Sequence, residues 1–461
     1  MALIKSISGI RGTIGGQAGD NLTPQDIVEC TAAFGAWLLE TGKTPRVVLG
    51  RDARISGAMV KALVSNTLIS LGIDVLDVDL STTPTVEMAV VWEKAGAGII
   101  ITASHNPKEW NALKFLNEKG EFISKADGEY LLAKIEEGSI QYAEVDQIGT
   151  ITPLSGTMEQ HIQAILDYPL VDVAAIRSAQ FKVVLDAINS TGGIAVPMLL
   201  DQLGCETIVI NGEINGQFAH NPEPLAKHLT ELSAAIIKEQ AHLGISVDPD
   251  VDRLAFVNED GTMFGEEFTL VAVADYILGQ RGGNSVSNLS STRALRDITE
   301  RHGGQYFASA VGEVNVVTTM KNENAAIGGE GNGGIIVPDF HYGRDALIGI
   351  ALFLSHLSKK KMKMSALKAT YPSYDMVKDK IALHAGIDLN KILIALEKKY
   401  QKENYNTIDG LKIDFPTAWV HLRKSNTEPI IRVYAEASTQ EKAQALVAQL
   451  KQDVEDLLSE K

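Results

Sequence analysis

The chain has 461 residues, 45% of them apolar and 22% charged, a composition that excludes disordered and fibrous classes and supports a multi-domain protein with ample core. Forty-two Lys and Arg stand against 58 Asp and Glu, and the formal charge of −16 excludes a broad surface for nucleic acid or anionic membrane, so an anionic ligand needs local cationic clusters. Cys30 and Cys205 lie far apart and outside any C-x-x-C pattern, which excludes a disulfide framework or a cysteine metal site and predicts two buried thiols in a reducing compartment.

The first element is well signposted: Thr23 can cap a helix, Pro24 suits its first turn, Ile27, Phe34 and Trp37 follow on one face, and Gly42 can end it. No apolar segment of secretory length lies between Met1 and Gly12. Strand-like Arg46 to Gly50 comes next, then a helix capped by Ser56 and ending at Gly72, a strand Asp74 to Leu80, a helix opened by Pro84, and a strand Gly98 to Thr102. Strands alternating with helices predict an α/β layer. The alternation returns in Phe181 to Leu185, Thr207 to Ile210 and Leu243 to Val247, and a third set starts at Ser285 to Leu289.

The longest apolar run, Ala346 to Leu354, contains Gly349 and reaches about half the length of a membrane span, so a cytoplasmic protein without membrane partners is expected. Near Tyr371 the rhythm changes. Tyr374 to Ala382, Leu411 to Phe415, Trp419 to Arg423 and Ile430 to Ala435 are strand-like with only two helices, an α+β tail. The expected organisation is three tandem similar α/β domains plus a C-terminal α+β domain, with boundaries at residues 1–153, 154–257, 258–371 and 372–461.

Each α/β set ends an apolar strand in a polar loop, and ligands of open α/β sheets bind beyond the carboxyl ends of strands. In DPDVDR, Asp248, Asp250 and Asp252 place three carboxylates within five residues, a density that suits a hard cation such as magnesium or calcium, or else a solvated acidic turn. An EF-hand is excluded, because Arg253 occupies the sixth position that needs glycine and the flanking segments are strand-like. TASHNP, Thr102 to Pro107, sets Ser104 at a strand-to-loop junction, as a nucleophile or as part of a plain turn; no G-x-S-x-G elbow surrounds it. GGEGNGG, Gly328 to Gly334, is neither a P-loop nor a dinucleotide turn; its glycines allow close approach to a ligand, or a flexible hairpin. Arg423, Ser425, Asn426, Thr427, Glu428 and Arg432 mix hydroxyls with two guanidiniums, which fits a phosphate or an edge-strand ion pair.

TASHNP, DPDVDR, GEGNGG and RKSNTEP, in that order and across nearly the whole chain, resemble the α-D-phosphohexomutase superfamily, one motif per domain. The resemblance implies four domains around a central cleft and a mutase that interconverts hexose 6-phosphates and 1-phosphates through a phosphoserine and a bisphosphorylated sugar. It implies that Ser104 carries the phosphoryl group, that Asp248, Asp250, Asp252 and the Ser104 phosphoryl hold Mg2+, and that Lys114 acts in proton transfer with His105, Arg253 and Arg11 (in SGIRG) near the reacting group. Glu330 and Asn332 correspond to sugar recognition, and Arg423, Ser425, Asn426, Thr427 and Arg432 to a clamp on the non-reacting phosphate.

Two departures stand out. Where the superfamily's commoner pattern is Glu-x-Ser-Gly-His, Asn332 replaces the serine and Gly334 the histidine, and Ala112 stands where glycine is usual ahead of Lys114. GEGNGG and KEWNALKF look more like the phosphoglucosamine mutases, with phosphomannomutases and phosphoglucomutases as the alternative within the superfamily. A metal-dependent sugar phosphatase and an inactive sugar-phosphate sensor are the rivals outside it.

Overall fold

The computed structural model describes residues 3–6, 9–382, 389–424 and 430–459. The chain divides into two compact units, one built from everything up to Tyr276 together with Asn332–Lys368, the other from Ile277–Gly331 and the chain from Ala369 onward.

In the first unit the helix Pro24–Glu40 starts as its sequence dictates: Thr23 accepts the amide of Asp26, and Asp26 returns the cap to the amide of Thr23 at 3.1 Å. Ser56 behaves differently from the expected cap. It lies in helical conformation ahead of Gly57–Ser70 and caps nothing; its hydroxyl accepts from Asn111 Nδ2 at 2.9 Å, because a buried amide left unpaired costs more than a missing cap.

Among the described residues, seven strands form the first sheet, in the order Ile4–Ser6, Gly9–Thr13, Trp110–Leu116, Ala97–Ile101, Arg46–Arg51, Asp74–Leu80 and Ile151–Pro153. Successive side chains of a strand face opposite sides, and here both sides are covered. Val47, Leu49, Ile99 and Ile101 pack with Phe34 and Trp37, whereas Val48 and Ile100 pack with Val86 and Val90 of the helix Thr83–Trp92. Each aliphatic side chain so buried stabilises the sheet by about 1.5–3 kcal/mol, which explains why these strands read as unbroken apolar runs.

A second sheet runs Leu254–Asn258, Leu243–Val247, Lys182–Asp186 and Glu206–Ile210. Its first two strands are antiparallel, from Leu243 opposite Asn258 to Val247 opposite Leu254, so residues 248–253 are a hairpin connection. The apolar run from Ala346 is the helix Ala346–Lys360, buried along most of its length. Among the described residues no helix is long and apolar enough to cross a membrane. Cys30 is buried and its thiol is pushed up to about 12 by that burial; Cys205, expected to be buried, is only partly covered, and burial still raises it to about 11.

In the second unit Asn284–Asn288 lies between parallel neighbours Tyr306–Ser309 and Ala325–Glu330. The tail sheet is antiparallel, in the order Asp375–Ala382, Ile430–Ala437, Ala418–Lys424, Leu411–Phe415 and Asn404–Asn406. Ile413, Val420, Ile431 and Val433 bury against Leu396 of Leu389–Lys399 and Val447 and Leu450 of Gln440–Ser459. Three successive α/β sets followed by an α+β tail are therefore what the alternation of elements announces.

Candidate active site

Ser104 leaves the carboxyl end of Ala97–Ile101 in a left-handed conformation, φ +48, which costs a non-glycine residue about 1–3 kcal/mol and persists only where surroundings over-determine it. Its amide donates to Thr102 Oγ1 at 3.0 Å, and its hydroxyl donates to Asp248 Oδ2 at 2.6 Å, 144 residues further along the chain. Sequence adjacency gives no reason for Ser104 and His105 to meet, yet His105 Nδ1 lies 3.4 Å from the serine oxygen.

Asp248 follows the fully buried strand Leu243–Val247, and the turn after it is also strained: Val251, β-branched, has φ +62. That conformation is held by the Val251 amide donating to Asp248 O at 3.1 Å and by the Ala346 amide donating to Val251 O at 3.2 Å. The turn brings ligand-capable oxygens of Asp248, Asp250 and Asp252 within 4.8 Å of one another, all three residues fully buried.

The donor set fits a hard divalent cation, and the outer contacts show how. Asp248 Oδ1 accepts the amides of Asp252 and Arg253 at 3.2 and 3.0 Å. Asp250 Oδ2 accepts Thr83 Oγ1 at 2.6 Å and Lys114 Nζ at 2.8 Å. Asp252 Oδ2 accepts Arg344 Nη2 at 2.7 Å, with Lys114 Nζ at 3.5 Å. The remaining oxygens, Oδ1 of Asp250 and Oδ1 of Asp252, are buried without a protein hydrogen-bond donor, a need that a cation held in the turn would meet.

The electrostatics follow from this crowding. Burial, then Asp252 and Asp250, push the Asp248 carboxyl well above the usual carboxylate range. Burial opposes ionisation of Asp252 too, but Arg344, Lys114 and Arg253 overcome it and hold its carboxyl below that range. Burial likewise opposes the charge on Lys114, and Asp250 and Asp252 reverse this, raising it above an ordinary lysine. His105 is driven well below an ordinary histidine by Arg253 and by burial. Arg11 lies on Gly9–Thr13 with Ala112 as its Cα partner, two residues from Lys114; burial and nearby Arg253 lower it. The structure thus gathers Arg11, Ser104, His105, Lys114, Asp248, Asp250, Asp252 and Arg253.

The other expected site residues are placed as follows. Glu330 ends the strand Ala325–Glu330 and is buried, its Oε1 accepting Asn288 Nδ2 at 2.9 Å and the Gly312 amide at 3.2 Å. In the first unit, Asn332 Oδ1 accepts the amide of Gly334 at 3.2 Å. The glycines here serve packing as well as approach to a ligand. Gly328 lies within the strand, where a Cβ would collide with Met320 of Glu313–Asn322, and a Cβ on Gly333, φ +86, would overlap the carbonyl of Leu254. Arg423 and Arg432 are Cα partners on adjacent strands; Arg423 Nη1 lies 3.7 Å from Asp409 Oδ2, and Arg432 Nη1 donates to Tyr434 at 3.4 Å. Ser425, Asn426 and Thr427 lie outside the described residues.

Nothing in the sequence singles out Thr83 and Arg344, although both hold carboxylates of the triple-aspartate turn. Their contacts span 167 and 92 residues, beyond any local pattern. The available signals are slight: a hydroxyl run, Ser81 to Thr83, before Pro84, and the charged pair Arg344 and Asp345 immediately before a long apolar helix.

Models of the phosphoglucomutase/phosphomannomutase family match along the chain: its alpha/beta/alpha domain I at residues 3–141, domain II at 159–261, domain III at 266–374 and the C-terminal domain at 378–452. A phosphoglucomutase/phosphomannomutase of Thermococcus kodakarensis is 35% identical over 94% of this chain and 95% of its own. A probable phosphoglucosamine mutase of Methanopyrus kandleri is 32% identical over 95% of each. The crystal structure of a phosphoglucomutase/phosphomannomutase family protein from Burkholderia thailandensis superposes with a TM-score of 0.84 at 26% identity, over 99% of this chain and 96% of that one.

Proposed function

This chain belongs to the phosphoglucomutase/phosphomannomutase family, and from that premise we propose that it is a magnesium-dependent mutase that interconverts the 6- and 1-phosphates of glucosamine through a phosphorylated Ser104. The observation that carries this reading is the serine oxygen 2.6 Å from the carboxylate of Asp248, which starts the triple-aspartate turn. Phosphoryl transfer is mostly positioning and charge stabilisation, so a strained, fixed serine beside a cation-ready turn is the equipment the chemistry needs.

Asp248, Asp250 and Asp252 hold the metal in this reading, and Mg2+ bound there would neutralise charge on the transferring phosphoryl group. A sugar hydroxyl oxygen attacks phosphorus, the bond from phosphorus to Ser104 Oγ breaks, and the hydroxyl proton passes to a neighbouring base. The bisphosphorylated sugar then turns over and returns its other phosphate to Ser104. His105, beside the serine oxygen, and Lys114, on the carboxylate of Asp250, are the groups that move protons, while Arg11 and Arg253 draw in the anion. Arg423 and Arg432, facing each other across paired strands, take the phosphate that is not reacting, with Ser425, Asn426 and Thr427 between them in sequence. Glu330 and Asn332 meet the sugar hydroxyls.

The GEGNGG loop and the name of the Methanopyrus relative support glucosamine as the sugar; the name of the Thermococcus relative favours mannose or glucose as the second reading. Comparing kcat/KM for glucosamine, mannose, glucose and N-acetylglucosamine phosphates decides between them. Glucosamine phosphate is expected to lead by about tenfold or more, the scale on which a pocket separates such analogues. A lead for mannose or glucose moves the assignment to the second reading. Inorganic phosphate released in step with substrate lost replaces the mutase by a phosphatase.

A further inference from the structure

Arg54 is 1% exposed, and all five N–H donors of its guanidinium are used. Nε donates to Asp52 Oδ2 at 3.1 Å. Nη2 donates to the carbonyls of Ser104 and Asn106 at 2.6 and 2.7 Å, and Nη1 to those of Pro107 and Trp110 at 2.7 and 2.8 Å. Four carbonyl dipoles of the serine loop therefore converge on one cation, an arrangement that their mutual repulsion would open if the cation were absent.

The same short turn grips the loop from its other side. Asp52 Oδ2 accepts Thr102 Oγ1 at 2.7 Å, and that hydroxyl oxygen accepts the amide of Ser104. Ser104 is thus fixed at its carbonyl by Arg54 and at its amide through Asp52, which is what a left-handed serine requires to stay in place. The turn also reaches the metal loop: the Ala53 amide donates to Ser190 Oγ at 3.2 Å, and that hydroxyl donates to Pro249 O at 2.7 Å. The Phe218 ring covers the guanidinium, its centroid 5.1 Å away, and Gly216 packs where a Cβ would overlap the carbonyl of Ala53.

We propose that Arg54, held by Asp52, is the positioning residue that sets the Ser104 oxygen against the triple-aspartate turn, acting on turnover through the loop backbone without touching substrate. The proposal rests on the reading of Ser104 as phosphoryl carrier. Lysine cannot reproduce a planar fork that meets four carbonyls, so Arg54→Lys keeps the charge and loses the geometry. The test measures kcat and KM separately for R54K, its thermal melt, and the rate at which a sugar bisphosphate loads phosphate onto Ser104, followed by intact mass.

Expected are a kcat lower by about a hundredfold, the effect of misplacing a reacting group by an ångström, a loading rate lower by a similar factor, and a KM within about threefold of the parent. A role in folding alone would lower the melting temperature and leave kcat and loading unchanged in the cold, which overturns the proposal. Should R54K fail to fold, Asp52→Asn and Phe218→Leu, which loosen the guanidinium without removing it, are judged by the same kcat criterion. Ser104→Ala separates the two ideas: if it retains turnover the phosphoserine reading fails, whereas if it is inactive while R54K turns over normally only the Arg54 assignment fails.

Discussion

Replacing His421 by glutamine should remove a large part of the acid sensitivity of the C-terminal sheet. His421 is 1% exposed on Ala418–Lys424; its Nε2 lies 2.7 Å from Asp409 O and its Nδ1 2.9 Å from Ser290 Oγ. A carbonyl only accepts, so Nε2 carries the proton and Nδ1 accepts from Ser290, a neutral ring satisfied at both nitrogens. Burial pushes the ring down to about 4 from its ordinary 6.5, the Asp409 carbonyl partly opposing and nearby Lys412 and Arg423 adding to it. A lowered folded value means the unfolded chain takes up this proton first as pH falls. The stabilisation is therefore complete above about pH 7 and is lost between 6.5 and about 4, amounting to about 3.5 kcal/mol at about 1.4 kcal/mol per unit. Urea unfolding of parent and H421Q at pH 7.5, 5.5 and 4.5, followed by tryptophan fluorescence, isolates the histidine, because every carboxylate contributes equally to both proteins. The parent should lose about 2–3 kcal/mol more than H421Q across that range. Parallel pH profiles for the two proteins would refute the reasoning.

Gly333→Ala should lower stability by about 1–3 kcal/mol, from the left-handed backbone and the overlap with the Leu254 carbonyl, and a melting temperature equal to the parent's would contradict the packing described. Thr83→Val removes the hydroxyl that orients Asp250 and should weaken magnesium activation by about 10–100-fold, with Asp250→Asn at least as damaging; unchanged activation curves for both would remove the metal site from that turn. Arg432→Ala should raise KM for the phosphosugar by about tenfold or more, the worth of one charge-assisted hydrogen bond, and unaltered KM and kcat would dismiss Arg432 as a phosphate ligand.

The element order was legible because the parallel strands are covered on both faces and read as short apolar runs, as with Val47 to Leu49 and Ile99 to Ile101. The triple-aspartate turn stands out for another reason: Asp248, Asp250 and Asp252 are close in sequence, a charge density that suits a cation or a solvated turn, and their full burial favours the cation. What sequence could not disclose is the support that aims them. Thr83, Arg344 and Arg54 act over 50 to 167 residues, and nothing local separates a buried arginine from a solvated one. Ser56 shows the opposite error, a residue whose local preference for capping yields to a tertiary hydrogen bond with Asn111. The run Gly328 to Gly334 offers close approach to a ligand or a flexible hairpin, and its first glycine, Gly328, makes room for the Met320 side chain. Such residues are recognised from packing, and packing is settled by the whole chain.

The claim on which the rest depends is that the oxygen of Ser104 hands a phosphoryl group to the sugar beside the triple-aspartate turn. Rapid quenching of enzyme labelled with radioactive phosphate, mixed with hexose 1-phosphate and Mg2+, measures that step itself. Label should leave the peptide containing Ser104 at least as fast as kcat, appear in the bisphosphorylated sugar, and stay on the enzyme when the metal is chelated. Label that remains on Ser104 through many turnovers, or that resides on another residue, would contradict the account.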